Sequence, residues 1–269
     1  MLYGSSTAPR AERWRTLLHD LDARPSRGDA YRLVLVGYIG NNVLPARAGD
    51  LMRVVLIAPR AETTKRFVVG TLVAERLLDV AVLAVLFLVL ATTIAGSAGL
   101  SGGTAGAVLG ALLVVALVAL VAGMGVLRRR GLVERVKAFV APMAASTRNL
   151  RGRHGVGMLA LTILIWVGEA GVWGSCAAAV NLVAGPLEAL CLVALASMFA
   201  LIPSGRGYAG TQDAAAVIGV KAIGGTSAQA VSYLILVRFV LLIPITLAGL
   251  VTLALRYGGV SGLRVAARA

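Results

Sequence analysis

The sequence predicts an all-α fold: a polytopic transmembrane helix bundle with two re-entrant helical hairpins in inverted arrangement. Composition is the first reason. Hydrophobic residues make up 58% of the 269 positions and charged residues only 14%, with a mean hydropathy of +0.87. Soluble domains are roughly 45–50% apolar and about 25% charged. The second reason is length, because apolar runs long enough to span alternate with runs well short of the ~20 residues that spanning needs. The third is punctuation. Each short run ends in a polar break, Pro45–Asp50 or Pro203–Asp213, followed by a second short run. Broken, polar backbone is tolerated at membrane depth only where it is buried in protein or lines a water-filled cavity.

Residues 1–30 are basic and contain Pro and Ser, and are expected to form a cytoplasmic or interfacial segment, with Trp14, Leu17 and Leu18 placed to meet an interface. Residues 31–256 read as one transmembrane domain and 257–269 as a basic cytoplasmic tail. Within the domain, 31–44 is too short to span and stops at Pro45; a second short piece runs to Ala58, and Arg60, Lys65 and Arg66 return the chain to basic loop. Phe67–Ile94 is a long apolar segment carrying Glu75, Arg76 and Asp79. An uncharged Gly/Ser loop follows at 96–103, then a charge-free span at 105–127 that Arg128-Arg129-Arg130 stops. Val156–Val183 spans again with Glu169 in its middle. Residues 187–202 and 214–223 are short apolar pieces on either side of the second break, and 228–255 spans with Arg238 inside it.

The formal net charge of +14 sits mostly on the connections. Basic residues cluster at 10–32, 60–66, 128–153 and 256–268, while 96–104 and 184–187 have none. Arginine and lysine collect on cytoplasmic loops, so the first set is expected inside, both termini included, and the second outside. The excess also suits contact with anionic lipid headgroups. With spans fixed in this way, each short pair must begin and end on one face. The first then enters from the cytoplasm and the second from outside, the layout of an inverted repeat with a central site.

A charge at the bilayer centre costs about 2.5–3.5 kcal/mol even on mild scales, so intramembrane charges are expected to pair. Glu75 and Asp79 share a helix face that can meet Arg47 or Arg53. Glu169 is flanked by Gly168, Gly171 and Gly174, which would let a helix or ligand approach closely. Arg238 needs either a carboxylate or a lipid phosphate. Arginine suits the latter because its planar fork grips a phosphate bidentately. A network of fixed ion pairs that only holds the hairpins in register is the structural alternative.

Enzymatic chemistry is not expected. No metal-ligand spacing, no Ser/His/Asp set and no phosphate loop ending in Lys-Ser/Thr occurs. Cys176 and Cys191 lie in apolar runs as small core residues, and His19 and His154 are isolated. Gly205-Arg206-Gly207-Tyr208-Ala209-Gly210 matches G-x-G-x-x-G only superficially, without the strand–turn–helix context the dinucleotide motif needs. No cofactor, metal or nucleic acid is expected.

Three motifs carry a resemblance. They are Asn42-Val43-Leu44-Pro45-Ala46-Arg47-Ala48-Gly49-Asp50-Leu51-Met52-Arg53, then Glu75-Arg76-Leu77-Leu78-Asp79, then Pro203 with Gly207-Tyr208-Ala209-Gly210-Thr211-Gln212-Asp213; Arg238 also fits. In these the chain resembles the lysylphosphatidylglycerol synthase transmembrane region family, also called the flippase-like domain family, from roughly Arg13 onward. The resemblance implies an integral bacterial or archaeal membrane protein related to the domain that moves aminoacylated phosphatidylglycerol across the bilayer. Members usually begin with a further transmembrane helix, expected to be missing here, and bifunctional members add a soluble aminoacyl-transferase domain that this sequence lacks. Arg206 is an additional charge where an Ala-Pro-Gly type tip is commoner.

The expected function is translocation of an anionic or glycosylated lipid across the cytoplasmic membrane. Candidate substrate-binding residues are Asn42, Arg47, Asp50, Arg53, Glu75, Arg76, Asp79, Glu169, Arg206, Tyr208, Asp213 and Arg238. Arg47, Arg53 and Arg238 are expected to hold the phosphate, with Glu75, Asp79 and Glu169 balancing them. Expected partners are membrane lipids, with a membrane enzyme or a second copy of the chain as further candidates. A non-transporting scaffold for a lipid-modifying enzyme or glycosyltransferase is the alternative.

Overall fold

The structure, a computed structural model, describes residues 2–19, 25–44, 48–97, 153–200, 205, 207, 209–259 and 261–263. The expected span at 105–127 and nearly all of the basic loop at 128–153 lie outside the described residues. The described residues contain eight long helices and no strand: α1 (Leu2–His19), α2 (Arg27–Val43), α3 (Ala48–Ile57), α4 (Lys65–Ser97), α5 (Arg153–Ala179), α6 (Pro186–Phe199), α7 (Thr211–Ala222) and α8 (Ser227–Tyr257).

Local chemistry sets most boundaries. Helix α2 begins at Arg27, before the boundary read at 31, because the Ser26 side chain accepts from Asp29 N at 3.0 Å and caps it. It ends at Leu44, which is extended (φ −98°, ψ 150°). That is the conformation forced on a residue preceding proline, here Pro45. Helix α6 starts with Pro186 in its first turn, where the missing N–H is no loss. Before α7, Gly210 takes φ +98° and its N–H is received by Asp213 Oδ2 at 2.9 Å. Thr226 and Gln229 form a capping box that opens α8, and Gly258 closes it in the left-handed region.

Two of the packed pairs are helical hairpins, α2 on α3 and α6 on α7. The short–break–short pattern in the sequence therefore folds as two helical pairs. Residues 155–179 of α5 and all of α8 are long and apolar enough to cross a membrane.

The distribution of side chains is inverted relative to a soluble domain. Along α8, Val231, Ile235, Phe239, Ile243, Leu247, Val251 and Leu255 are exposed at every fourth position, while Arg13, Arg53, Glu75, Asp79 and Glu169 are buried. Apolar contacts fall into two main clusters. One joins α5–α8 and the adjoining part of α4 around Trp173, Leu192 and Tyr233. The other joins α1–α3, the start of α4 and the end of α8 around Trp14, Leu33, Ile57 and Leu253. The buried charges lie between them.

Glycines permit the tightest approach in the bundle. A Cβ on Gly49 would collide with the Gly37 carbonyl oxygen and lie 2.6 Å from Asn41 N, so α3 seats on α2 backbone to backbone. The Asn41 carboxamide then reaches across, its Oδ1 accepting from Gly49 N at 3.0 Å. On α5, in contrast, a Cβ at Gly168 or Gly171 meets nothing within 4 Å among the described residues, and only Gly174 abuts a neighbour, Ala189. Of the glycines flanking Glu169, Gly174 gives the close approach to a neighbouring helix among the described residues.

Gly49→Ala is expected to lower the melting temperature in detergent micelles, by an overpacking penalty of about 1–3 kcal/mol. Gly168→Ala, which enters open space, should leave it unchanged or slightly raised. Equal shifts for the two would contradict this account of the α2–α3 contact.

Candidate functional site

The two hairpins converge on a cavity of about 150 Å³. Arg10 and Arg13 of α1, Gly37, Tyr38, Asn41 and Asn42 of α2, Asp50 and Arg53 of α3, and Glu75, Arg76 and Asp79 of α4 line one part. Trp166 and Glu169 of α5, Ser197 of α6, Gln212 of α7 and Leu241 and Leu242 of α8 line the rest. Among the described residues the lining holds four arginines and four carboxylates, formally balanced in charge.

Six of these charges form a closed ring of alternating sign. Arg53 Nη2 lies 3.0 Å from Glu75 Oε2, and Glu75 Oε1 lies 3.7 Å from Arg13 Nη2. Arg13 Nη1 donates to Asp79 Oδ1 at 2.7 Å, and Asp79 Oδ2 lies 3.6 Å from Arg76 Nη1. Arg76 Nη2 donates to Asp50 Oδ2 at 3.3 Å, and Asp50 Oδ1 lies 3.7 Å from Arg53 Nη1, which closes the circuit. The Thr162 hydroxyl accepts a further bond from Arg13 at 2.9 Å, and the Arg53 guanidinium stacks 4.0 Å from the Trp14 ring centroid. Beside the ring, Arg10 pairs with Glu169 at 2.7 Å and packs over Trp166.

Local packing sets these positions. Helix α4 places Glu75 and Asp79 one turn apart, and α3 places Asp50 and Arg53 three residues apart. A Cβ at Gly37 would lie 2.6 Å from Arg53 Cδ, so the glycine leaves room for the arginine stem. The Nε groups of Arg13 and Arg53 and the indole Nε1 of Trp166 are buried without a hydrogen-bond partner among the described residues.

The expected site residues separate into three groups. Asp50, Arg53, Glu75, Arg76, Asp79 and Glu169 come together at the cavity, and Asn42 joins them while donating to Thr246 Oγ1 at 2.9 Å. Arg238 and Asp213 pair with each other instead, through two bonds of 2.7 Å, and neither lines the cavity. Of the two partners left open for Arg238, a carboxylate or a lipid phosphate, α7 supplies the carboxylate. Arg47, Arg206 and Tyr208 lie outside the described residues. Of the two partners open to the Glu75 face, Arg53 meets Glu75, and Arg47 lies outside the described residues.

Two charged residues were missed. Arg10 and Arg13 fall in the basic N-terminal stretch, where arginine reads as a surface residue. A signal was present: Arg10, Arg13, Trp14, Leu17 and Leu18 recur at the spacing of a single helical face. That face is the buried one.

The chain matches the family described as Lysylphosphatidylglycerol synthase TM region over residues 6–249, most of its length. It belongs to that family. No curated protein and no solved structure matches it. The match starts within α1 and ends within α8, so every described residue that lines the cavity falls inside it. Membership makes this an integral membrane protein of a lipid-related, flippase-like family. The inverted side-chain distribution is consistent with that setting.

Removing one member of a buried pair strands the other and costs about 3–5 kcal/mol, whereas removing both avoids an orphaned charge. Arg13→Gln and Asp79→Asn are each expected to destabilise strongly in detergent, and the double variant to recover much of the loss. Strictly additive effects would mean that the two side chains do not sense each other.

Proposed function

We propose that this protein is a non-enzymatic lipid translocator that passes the headgroup of an anionic or glycosylated lipid between leaflets of the cytoplasmic membrane. The observation carrying this reading is the closed ring of alternating charge at a cavity between two broken helical hairpins. A site that receives an anionic headgroup at membrane depth must also be tolerable when empty. A ring meets both needs, because each member has two neighbours of opposite sign. A lipid phosphate that takes one arginine fork bidentately leaves the released carboxylate still paired on its other side. The buried, unpartnered Nε groups of Arg13 and Arg53 offer further donors to an acceptor ligand.

Cavity size favours headgroup binding over engulfment. At about 150 Å³ it is well below the ~300–1,000 Å³ of sites that enclose drug-sized ligands, so the acyl chains would stay outside. In this reading the α2–α3 hairpin enters from the cytoplasm, the α6–α7 hairpin enters from outside, and both termini are cytoplasmic, as the arginine distribution requires.

A second reading has its own observation. The ring closes on itself with no ligand, as a structural staple would. The protein would then be a scaffold for a membrane enzyme or for a second copy of itself. Reconstitution separates the two. Purified protein in phosphatidylcholine vesicles containing a trace of acyl-labelled fluorescent phosphatidylglycerol is expected to speed exposure of inner-leaflet probe to dithionite. Arg53→Gln combined with Glu75→Gln keeps the net charge and polar character, and should slow exchange about tenfold or more, because one charge-assisted contact contributes about 1.5–3 kcal/mol. Exchange equal to that of empty vesicles would favour the scaffold.

Hairpin topology has a separate test. In a chain with Cys176 and Cys191 replaced by Ala, cysteines at Ala46 and Ser204 should resist bulky impermeant thiol reagents from both sides. Ready labelling of Ser204→Cys from the cytoplasmic side would mean that residues 187–202 span fully.

A further inference from the structure

The ring is not uniformly buried. Side-chain exposure is 1% at Arg13, 5–7% at Glu75, Asp79 and Arg53, then 20% at Asp50 and 35% at Arg76. The outermost link is therefore the Asp50–Arg76 pair, which bridges α3 and α4. These helices touch over a short stretch only, whereas α3 lies closely along α2. That link stands at the outer edge of the ring, where α3 faces α4.

The surroundings of the link are apolar. On α4, Val73, Leu77, Ala81 and Val85 recur at every fourth residue and are all exposed, and Leu51 is exposed on α3 directly after Asp50. A mouth onto water would be bordered by polar side chains. This one has a half-buried arginine at the edge of an apolar ladder about 3 turns long. That combination matches the two parts of a phospholipid, a phosphodiester and an acyl chain.

We propose that the α3–α4 gap is a lateral portal to the bilayer. Arg76 takes the phosphodiester of a membrane phospholipid whose acyl chains lie along the α4 ladder, and the Asp50–Arg76 pair closes the portal when no lipid is present. The proposal rests on the headgroup-binding reading of the cavity and specifies the route into it. Phosphate exchanges for the Asp50 carboxylate on Arg76, while Asp50 keeps Arg53 and Arg76 keeps Asp79. No charge is orphaned as the headgroup passes. Arg53 and Arg13 lie further around the same ring, so successive arginines lead inward.

The test reads access separately from transport. In a Cys176→Ala, Cys191→Ala background, Ser197→Cys places a thiol on the cavity wall. Proteoliposomes contain phosphatidylethanolamine carrying a maleimide on its headgroup amine, and a bulky water-soluble maleimide serves as comparison. The lipid reagent is expected to modify the cysteine and the soluble one to fail. Asp50→Asn, which unlatches the portal but keeps the phosphate anchor, should speed lipid labelling about fivefold, the scale of a partly exposed ion pair. Arg76→Gln should slow labelling below the parent rate although it breaks the same pair, and Arg76→Lys should restore most of it. Equal rates in all four proteins, or Arg76→Gln as fast as Asp50→Asn, would overturn the proposal. So would labelling by the soluble reagent alone. Leu77→Cys tests the ladder directly: if a phospholipid with a maleimide on its acyl chain cannot reach it, another part of the chain covers α4 and the portal is wrong. If labelling follows the expected pattern while vesicles show no leaflet exchange, the portal stands and translocation falls. If exchange proceeds while labelling ignores Asp50 and Arg76, the reverse holds.

Discussion

Ionised side chains inside an apolar bundle lose their hydration and must recover it from neighbours of opposite sign. Here that constraint is met by a circuit through three helices, not by isolated pairs. Arg13 comes from α1, Asp50 and Arg53 from α3, and Glu75, Arg76 and Asp79 from α4. Much of the surrounding packing serves to hold those six groups at bonding distance. Trp14 lies under the Arg53 guanidinium and is itself anchored by its indole N–H to the Thr71 hydroxyl at 3.0 Å. Thr162 of α5 receives Arg13. The absence of a side chain at Gly37 is as necessary as any of these contacts, since a methyl group there would occupy the path of the Arg53 stem.

The break after α2 follows from the same constraint. A continuous helix would carry Asp50 and Arg53 one and a half turns or more beyond Val43, away from the face of α4 that bears Glu75. Ending α2 at Val43 and starting α3 at Ala48 lets α3 pack along α2, and the small residues Gly37, Gly40 and Gly49 let the two axes approach until backbone atoms touch. The second hairpin is built differently. Among its described residues it brings Ser197, Ala200 and Gln212 to the cavity, and the carboxylate in the first turn of α7 is committed to Arg238 and to the Gly210 N–H. Among the described residues, the charges lining the cavity come from α1, α3 and α4, with Glu169 of α5.

Much of this was legible in the sequence. Helix positions followed from apolar run length and from Pro and Gly punctuation, and the spacing of Glu75 and Asp79 on one face pointed to an arginine partner. The pairing itself was not legible. Several arginines were available to each carboxylate, and choosing among them requires the helix packing that the sequence does not state. Arg238 is an example: the sequence leaves it either a carboxylate or a lipid phosphate, and the packing of α7 places Asp213 against it. Arg13 was hidden by composition. A helix with few apolar residues reads as a surface segment, and only the shared face of Arg10, Arg13, Trp14, Leu17 and Leu18 betrays an inward side.

Stability alone does not account for the ring. A buried ion pair replaced by well-packed apolar residues is often neutral or stabilising by about 1–4 kcal/mol, so Leu and Met at these six positions would hold α1, α3 and α4 together about as well. What apolar residues lack is direction and exchangeability. An arginine fork fixes the rotation of each helix about its axis through bonds of defined geometry, and it can trade one oxygen partner for another without leaving a void. Burial is deepest at Arg13 and least at Arg76. The members that set helix register are thus shielded, while the one most able to trade partners stands nearest the surface. A purely structural staple has no need of that gradient, whereas a site that must admit a charged group and close behind it does.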